Sequence, residues 1–525
     1  MRRGLLRGGT IGQHVPAAAG LADLRHRVHR PPLRRRGRED IRRPDDRAAQ
    51  RGGDSRRRGG AEDHPRRPRW WRGWRGTALP PGSRQPGSVS QHLVCAEIVS
   101  LSDHSGGAAS DGAADGQPRI VCPGCGLLCD DILPGDPASP RFERACEQGR
   151  AVLSRAWDAG GAVEAMLEGR PVSRQEAIEA AASAIRGARR VLVTGLVGVT
   201  LRGVLAAADL AERVSGAFDA DAAETARAAG PGMARIGSLT ADFEELRDRA
   251  DCVLLWFVDP SASHPRFLER FLEPPRSGGR KLVAVGTPPP AGAVHCEIGP
   301  DDSAEAAAVL EMLLAGDEAD DSARPPAWRQ LAGLLGPVAE AIRGAGCLAV
   351  VTDASRRGAG IESLAVARLV RAAAHRGAAF EVPLAWGIDH GGSGGGAAAI
   401  SSWRYAAAGG VAVADRLGGE YLPSEADARR LVARGEVDLV VAVGPLAPPL
   451  AEAVGRWAKL VELAEGPGIT TARGVFVQVA SPVAEGGVML RGDGRELRLP
   501  PSDPCGPTVA SVLEEIIAAI GEGSR

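Results

Sequence analysis

Lysine is almost absent: of the 64 basic residues in this 525-residue chain only Lys281 and Lys459 are lysines, so arginine carries nearly all the positive charge. Aromatic residues are scarce as well, at 4%, with two tyrosines and eight phenylalanines. Ala, Val and Leu must therefore build the core. No stretch approaches 18 uncharged apolar residues, which excludes a bilayer-spanning helix. Nine cysteines in a chain this long are too few for a disulfide-stapled secreted scaffold. No fixed period of 20–50 residues is visible, so repeat architectures drop out. A Walker loop and an H-E-x-x-H helix are both missing. The ten histidines are scattered, which argues against a metal site built from several of them.

What is present divides into two parts of opposite charge. Residues 1–100 hold 23 Arg against 9 acids, a net +14; residues 101–525 hold 41 basic and 56 acidic residues, a net −15, and the two sum to the overall −1. Runs such as Arg34-Arg35-Arg36 and Arg56-Arg57-Arg58 lie among Gly, Pro and Asp without helical or strand periodicity. Residues 1–118 are expected to be a disordered basic extension and linker, or upstream sequence translated from a mis-called start. Basic content that is all Arg points to nucleotide bias at the source, and no nucleic-acid partner is expected. A secretory h-region is missing, and no membrane partner is expected. The expected location is the cytoplasm.

Beyond residue 119 the sequence alternates short apolar runs with amphipathic helices. Ser173 and Glu176 form a capping-box pattern, followed by Ala177, Ile178, Ala181, Ala182 and Ile185 at helical spacing, with Gly187 closing the helix. Strands are read at Val191–Thr194, Cys252–Phe257, Leu282–Val285, Cys347–Val351, Leu439–Gly444 and Val475–Val479. Continuous Val/Leu/Ala runs of this length suit parallel sheets covered on both faces, so the fold class is α/β with more than one sheet. Ligands in such sheets bind at the carboxyl ends of strands. The loops to inspect are therefore 195–201, 258–266, 352–360 and 391–399. Cys252, Cys296 and Cys347 lie in or beside strands and read as inert core thiols.

The sharpest motif is Cys122-Pro-Gly-Cys125-Gly-Leu-Leu-Cys129, followed by Cys146 in Ala145-Cys146-Glu147-Gln148-Gly149. Four thiols, three of them within eight residues, form a cage for a soft metal centre. Gly124 and Gly126 let the backbone fold around it and aim N–H groups at sulfur. A [4Fe–4S] cluster needs four such ligands. A structural zinc site with four cysteine ligands is the second reading, although zinc ribbons use two C-x2-C knuckles; vestigial thiols are the third.

The segments 121–132 and 145–149 together resemble the start of the B subunit of formylmethanofuran dehydrogenase, in the molybdopterin oxidoreductase superfamily. Trp256–Arg266, Ala433–Gly444 and Glu485–Gly494 resemble later segments of the same family in the same order. The resemblance implies two stacked Rossmann-like parallel-sheet lobes with a small N-terminal cysteine module, a formate-dehydrogenase-like architecture without the C-terminal β-barrel. It implies a cysteine module at 119–160, a first α/β domain from 161–220 with 335–525, and a second at 221–334. In redox members a Cys or selenocysteine in the loop after the first strand ligates tungsten or molybdenum; here that position falls near Leu201, which has no lone pair to give. No catalytic residue and no Mo/W pterin are therefore expected. Asp259, His264 and Arg266 fall in what resembles a vestigial pterin-contacting loop, and a second such loop falls at 391–396. The pattern resembles most the B subunit of the bacterial formyltransferase/hydrolase complex in tetrahydromethanopterin-linked conversion of formaldehyde to formate. That implies partners: an amidohydrolase-like A subunit and the C and D formyltransferase subunits. It also implies a passive role for this chain; the alternative is a redox subunit using a Mo/W bis-pterin.

Overall fold

The computed structural model describes residues 119–136, 139–158, 164–220, 235–273, 278–316, 324–354, 360–388, 392–414, 418–421, 426–446, 448–466, 474–499 and 506–521. The reading of residues 1–118 as an extension lies outside them.

Two sheets organise these residues. The larger has nine strands, in the order Gly418–Tyr421, Val411–Ala414, Ala217–Ala220, Val191–Gly195, Leu439–Val443, Lys459–Ala464, Gly474–Gln478, Ala165–Leu167 and Arg170–Pro171. Its five middle strands run parallel, and antiparallel strands flank them on both sides. The smaller sheet is parallel throughout, in the order Ala378–Leu384, Cys347–Asp353, Cys252–Trp256, Lys281–Val285 and Val294–Cys296. The α/β class read from the sequence is thus the class observed.

Side chains alternate in these strands as pleating requires. In the large sheet Val191, Val193, Leu439, Val441 and Val443 join the core under the helices Arg174–Gly187, Leu201–Arg213 and Val509–Ile520. Leu192, Val440 and Ala442 face the opposite core, under Ala428–Ala433 and Pro448–Trp457. The N-cap half of the expected capping box forms: Ser173 accepts from the Glu176 backbone N–H at 3.2 Å, and the five apolar residues at helical spacing are the buried ones. In the small sheet Leu254, Val283, Leu348 and Val350 pack under three helices, while Val253, Leu255, Ala349 and Val351 pack on the cysteine segment and on Phe243, Phe267 and Phe271.

The domain boundary expected at 334 needs correction. Cys347–Asp353 belongs to the small sheet, where Leu348 to Thr352 pair in parallel with Cys252 to Trp256, and Ala378–Leu384 follows it there. The small sheet thus draws its strands from 252 to 384, inserted between the second and third parallel strands of the large one. An apolar Val/Leu run is equally at home in either sheet; partner choice is a tertiary matter that periodicity does not encode.

Each parallel set has a topological switch point, a gap between neighbouring strands whose crossovers leave in opposite directions. In the large sheet it lies between Val191–Gly195 and Leu439–Val443, and in the small one between Cys252–Trp256 and Cys347–Asp353. Leu196 (φ 68°) and Phe257 (φ 48°) follow the first strand of each, in the left-handed region that non-glycine residues avoid. Strained backbone at such positions accompanies functional sites often enough to direct attention there.

The antiparallel hairpin Gly487–Leu490/Glu496–Leu499 is tied to the helix Phe243–Arg249 through one buried cation. Arg491 is 1% exposed. It donates to Asp493 Oδ1 at 2.9 Å and Glu244 Oε1 at 2.7 Å, and its guanidinium carbon sits 4.8 Å from the Phe243 ring centre. Arg491→Met should cost about 3–5 kcal/mol, because it strands the buried Asp493 carboxylate; the midpoint of urea unfolding checks this. Burial pulls the Glu244 carboxyl up, but hydrogen bonds and charge from Arg491, then Arg495, outweigh it and hold its pKa at about 2, below the usual 4.5. A depressed carboxylate stabilises the fold above its unfolded pKa, and that contribution is lost as pH falls. The melting temperature should therefore drop between pH 4.5 and about 2, and Arg491→Met should flatten that acid limb.

Candidate functional site: a four-cysteine pocket on one face of the small sheet

Cys122, Cys125, Cys129 and Cys146 line one cavity, together with Gly124, Leu127, Gly149, Pro265, Arg266 and Ile388. The first three are buried and Cys146 is half-buried. Backbone bonds close the loop that carries them: the Cys122 N–H donates to Cys129 O at 2.9 Å, and the Leu128 N–H to Cys125 O at 3.2 Å. Leu128 takes φ 41° to make this turn, a conformation costly for a residue with a Cβ. Cys146 arrives from the other side, just before the helix Glu147–Asp158.

Glycines permit the close approach, though not all in the expected way. At Gly149 a Cβ would stand 3.0 Å from Cys122 Sγ. Its N–H donates to Cys146 Sγ at 3.3 Å. The Gly124 N–H is aimed at the Cys122 sulfur, and the Leu127 N–H at that of Cys125. Gly126 is different: its N–H, expected to point at sulfur, donates to Trp386 O at 2.6 Å, and its own carbonyl accepts from Gly492 N at 2.7 Å. A Cβ there would fall 2.2 Å from Ala385 O. Gly126 thus docks the loop on the backbone beyond the strand Ala378–Leu384, a tertiary contact that no spacing rule foretells.

Electrostatically the pocket resists bare thiolates. Burial pushes the Cys122 thiol up to about 12, only partly offset by the Gly124 N–H. It pushes Cys125 up as well, against the Leu127 N–H. Cys129 is also raised by burial, opposed chiefly by the charges of Arg270 and Arg266. Soft cations reverse this preference, because a bound metal stabilises the thiolate form directly. Among the described residues, no three His, Cys, Asp or Glu side chains stand close enough to grip a single metal ion.

The loop 258–266 divides its three singled-out residues. Arg266 belongs to the cysteine pocket: its Nη1 and Nη2 donate to the two carboxylate oxygens of Asp131, each at 2.7 Å, and its Nε to Glu269 at 2.6 Å. His264 is buried, with Nε2 donating to Ala385 O at 3.0 Å and Nδ1 2.9 Å from the Ser263 hydroxyl. Asp259 is exposed and caps the short helix Pro260–Ser263, accepting from Ser261 N at 2.9 Å. The pocket thus gathers Arg266 but neither His264 nor Asp259. The sequence reading missed Asp130, Asp131 and Arg270. The signal was in plain view: two acids directly after Cys129, and a second arginine one helical turn beyond Arg266.

At the large sheet's switch point Thr200 caps the helix Leu201–Arg213 by accepting from Gly203 N at 3.3 Å. Its hydroxyl donates to Glu485 at 2.9 Å. Burial raises the Glu485 carboxyl, with Thr200 and Arg202 pulling it back. In the sequence Glu485 stands out only as the first residue of a resembling segment. The glycine-rich stretch folds directly onto this place: Gly198 N donates to Ser393 O at 2.9 Å, and a Cβ on Gly396 would meet Leu201 Cδ2 at 2.9 Å. Ser393 is buried and its hydroxyl donates to Leu490 O at 2.8 Å.

No family model matches the chain. Over 161 residues it is 27% identical to the B subunit of the tungsten-containing formylmethanofuran dehydrogenase 2 of Methanocaldococcus jannaschii; the alignment covers 29% of this chain and 37% of that relative. The chain thus spans little more than a third of that relative's length. One chain of the formyltransferase/hydrolase complex (FhcABCD) of Methylorubrum extorquens, solved with methylofuran, superposes with a TM-score of 0.57 at 20% identity, over 68% of this chain and 98% of that one. The second likeness speaks for the fold. Together, sequence and structure support a family resembling the B subunit of formylmethanofuran dehydrogenase.

Proposed function

We propose that this chain is the B-type subunit of a formyltransferase/hydrolase complex that carries one-carbon units from formaldehyde to formate on tetrahydromethanopterin and a methanofuran-type carrier. Its partners are an amidohydrolase-like A subunit and the C and D formyltransferase subunits. The formyl group is transferred and then hydrolysed, and hydrolysis moves no electrons. The B-type chain is accordingly a non-redox partner that positions the others.

The observation that carries this reading is the contact between Leu201 and Gly396 beside the helix start. A heavy-metal pterin enzyme needs an anionic ligand at this place and room for its cofactor. Leu201 offers no donor, and the backbone of the glycine-rich stretch lies against the loop 198–201. This packing and the missing donor support a reading without a bis-pterin at this place. The rival reading, a redox subunit, has one feature in its favour: the Glu485 carboxyl beside Thr200.

The cysteine pocket does fit a metal group. Four thiols share one cavity, backbone N–H groups point at their sulfurs, and two arginines flank them. The C-x2-C-x3-C spacing with a lone fourth cysteine favours a [4Fe–4S] cluster over structural zinc, whose ribbons use two C-x2-C knuckles. Cys122, Cys125, Cys129 and Cys146 would hold a [4Fe–4S] cluster, and such a cluster supplies one-electron transfer or a rigid covalent staple. Arg266, through Asp131, holds the loop that presents three of these ligands.

Metal and pterin analysis of the complex, isolated without oxygen, tests the proposal. Iron and acid-labile sulfide should be present, and should fall to background in Cys129→Ser. Tungsten and molybdenum should be absent at the level of one per chain, and no pterin should be extracted. A stoichiometric heavy metal would overturn the non-redox reading.

A further inference from the structure

Arg266 and Arg270 bracket the start of the π-turn Leu268–Leu272, four residues apart. Both reach the carboxylates that directly follow Cys129: Arg266 pairs with Asp131 at 2.7 Å and Arg270 with Asp130 at 2.5 Å. Their commitments differ. Every nitrogen of the Arg266 guanidinium has a carboxylate acceptor. Arg270 uses Nη2 on Asp130; its buried Nη1 makes no well-formed hydrogen bond, standing 3.9 Å from Asp131 Oδ1, while the guanidinium lies within reach of the Cys129 side chain. A buried cationic donor left unmatched is costly unless an acceptor arrives. Of the cations that act on Cys129, Arg270 acts most strongly. A filled cysteine cage brings such an acceptor: thiolate sulfur is anionic, and an outer layer of donors commonly tunes a metal centre.

We propose that Arg270 is a positioning residue for an anionic metal–thiolate centre on Cys122, Cys125, Cys129 and Cys146, its spare Nη1 donating toward the Cys129 sulfur and its charge offsetting the negative charge of the filled cage. The inference rests on the reading that the four cysteines hold an iron–sulfur cluster. It adds a direction: reduction adds one negative charge to the cluster, so a neighbouring cation retains the cluster and favours its reduced state. Arg266, saturated by Asp131 and Glu269, serves the loop instead.

The test uses the full chain, produced with iron and sulfide and purified without oxygen, as wild type, Arg270→Gln, Arg270→Lys and Asp130→Asn. Two quantities are read: the rate of iron loss to a chelator, and the midpoint potential from a dithionite titration followed by electron paramagnetic resonance. Arg270→Gln should lose iron about 10–100-fold faster and shift the midpoint down. Asp130→Asn breaks the same ion pair but leaves the guanidinium, so its midpoint should move up. Arg270→Lys, which keeps the charge without the fork, should fall between wild type and Arg270→Gln. If Arg270 merely braces the loop through Asp130, both broken-pair variants shift the same way and lysine fails to rescue, which overturns the proposal. Wild-type iron binding with Arg270→Gln unchanged in both readouts overturns it alone. Wild-type protein that takes up no iron and sulfide overturns the cluster reading on which it rests.

Discussion

The burial of three thiols against one face of the small sheet is the constraint on which the site depends. Removing a sulfur from water favours its neutral form, and Cys122, Cys125 and Cys129 are all raised for that reason first. The neighbouring thiols and Asp131 push the same way, while backbone N–H groups and two arginines oppose them. Gly124, Leu127 and Gly149 turn backbone N–H groups toward sulfur, and Arg266 and Arg270 bring charge. The strained Leu128 and the tight fit of Gly126 hold the loop in this geometry. A core that needed only apolar filling would gain nothing from these devices. They are consistent with a place built to stabilise thiolates around a cation.

The large sheet differs. Its switch point, where doubly wound folds hold ligands, is occupied by the chain's own residues: Leu201 lies against Gly396, Ser393 accepts from Gly198, and Glu485 is joined to Thr200. The two places thus differ within one chain: the cysteine pocket on the small sheet keeps ligand-type side chains around a cavity, and the large sheet's switch point is packed.

Much of this was legible in the residues themselves. The helix after Ser173 was readable because capping and apolar spacing are local, and the strands at Val191, Cys252 and Leu439 because buried parallel strands read as unbroken apolar runs. The four cysteines stood out because ligand spacing within a loop is also local. What stayed hidden was long-range. The membership of Cys347–Asp353 in the small sheet depends on which apolar edge it meets, and either would accept it. The pairs Arg266–Asp131 and Arg270–Asp130 span about 140 residues, and charge alone does not say which arginine of so many finds which acid. Arg491, the most deeply buried arginine of the hairpin region, looked like any other surface residue until Glu244, Asp493 and Phe243 were placed around it.

The proposed arrangement is spatial: a metal–sulfur centre beside the small sheet, and no heavy metal beside Leu201. Anomalous diffraction from crystals of the assembled complex, collected at the iron and at the tungsten and molybdenum absorption edges, tests it most directly. The expected result is a compact iron signal between Cys122, Cys125, Cys129 and Cys146 and no heavy-metal peak near Thr200 and Glu485. A tungsten or molybdenum peak at that second place, whatever the iron map contains, would contradict it.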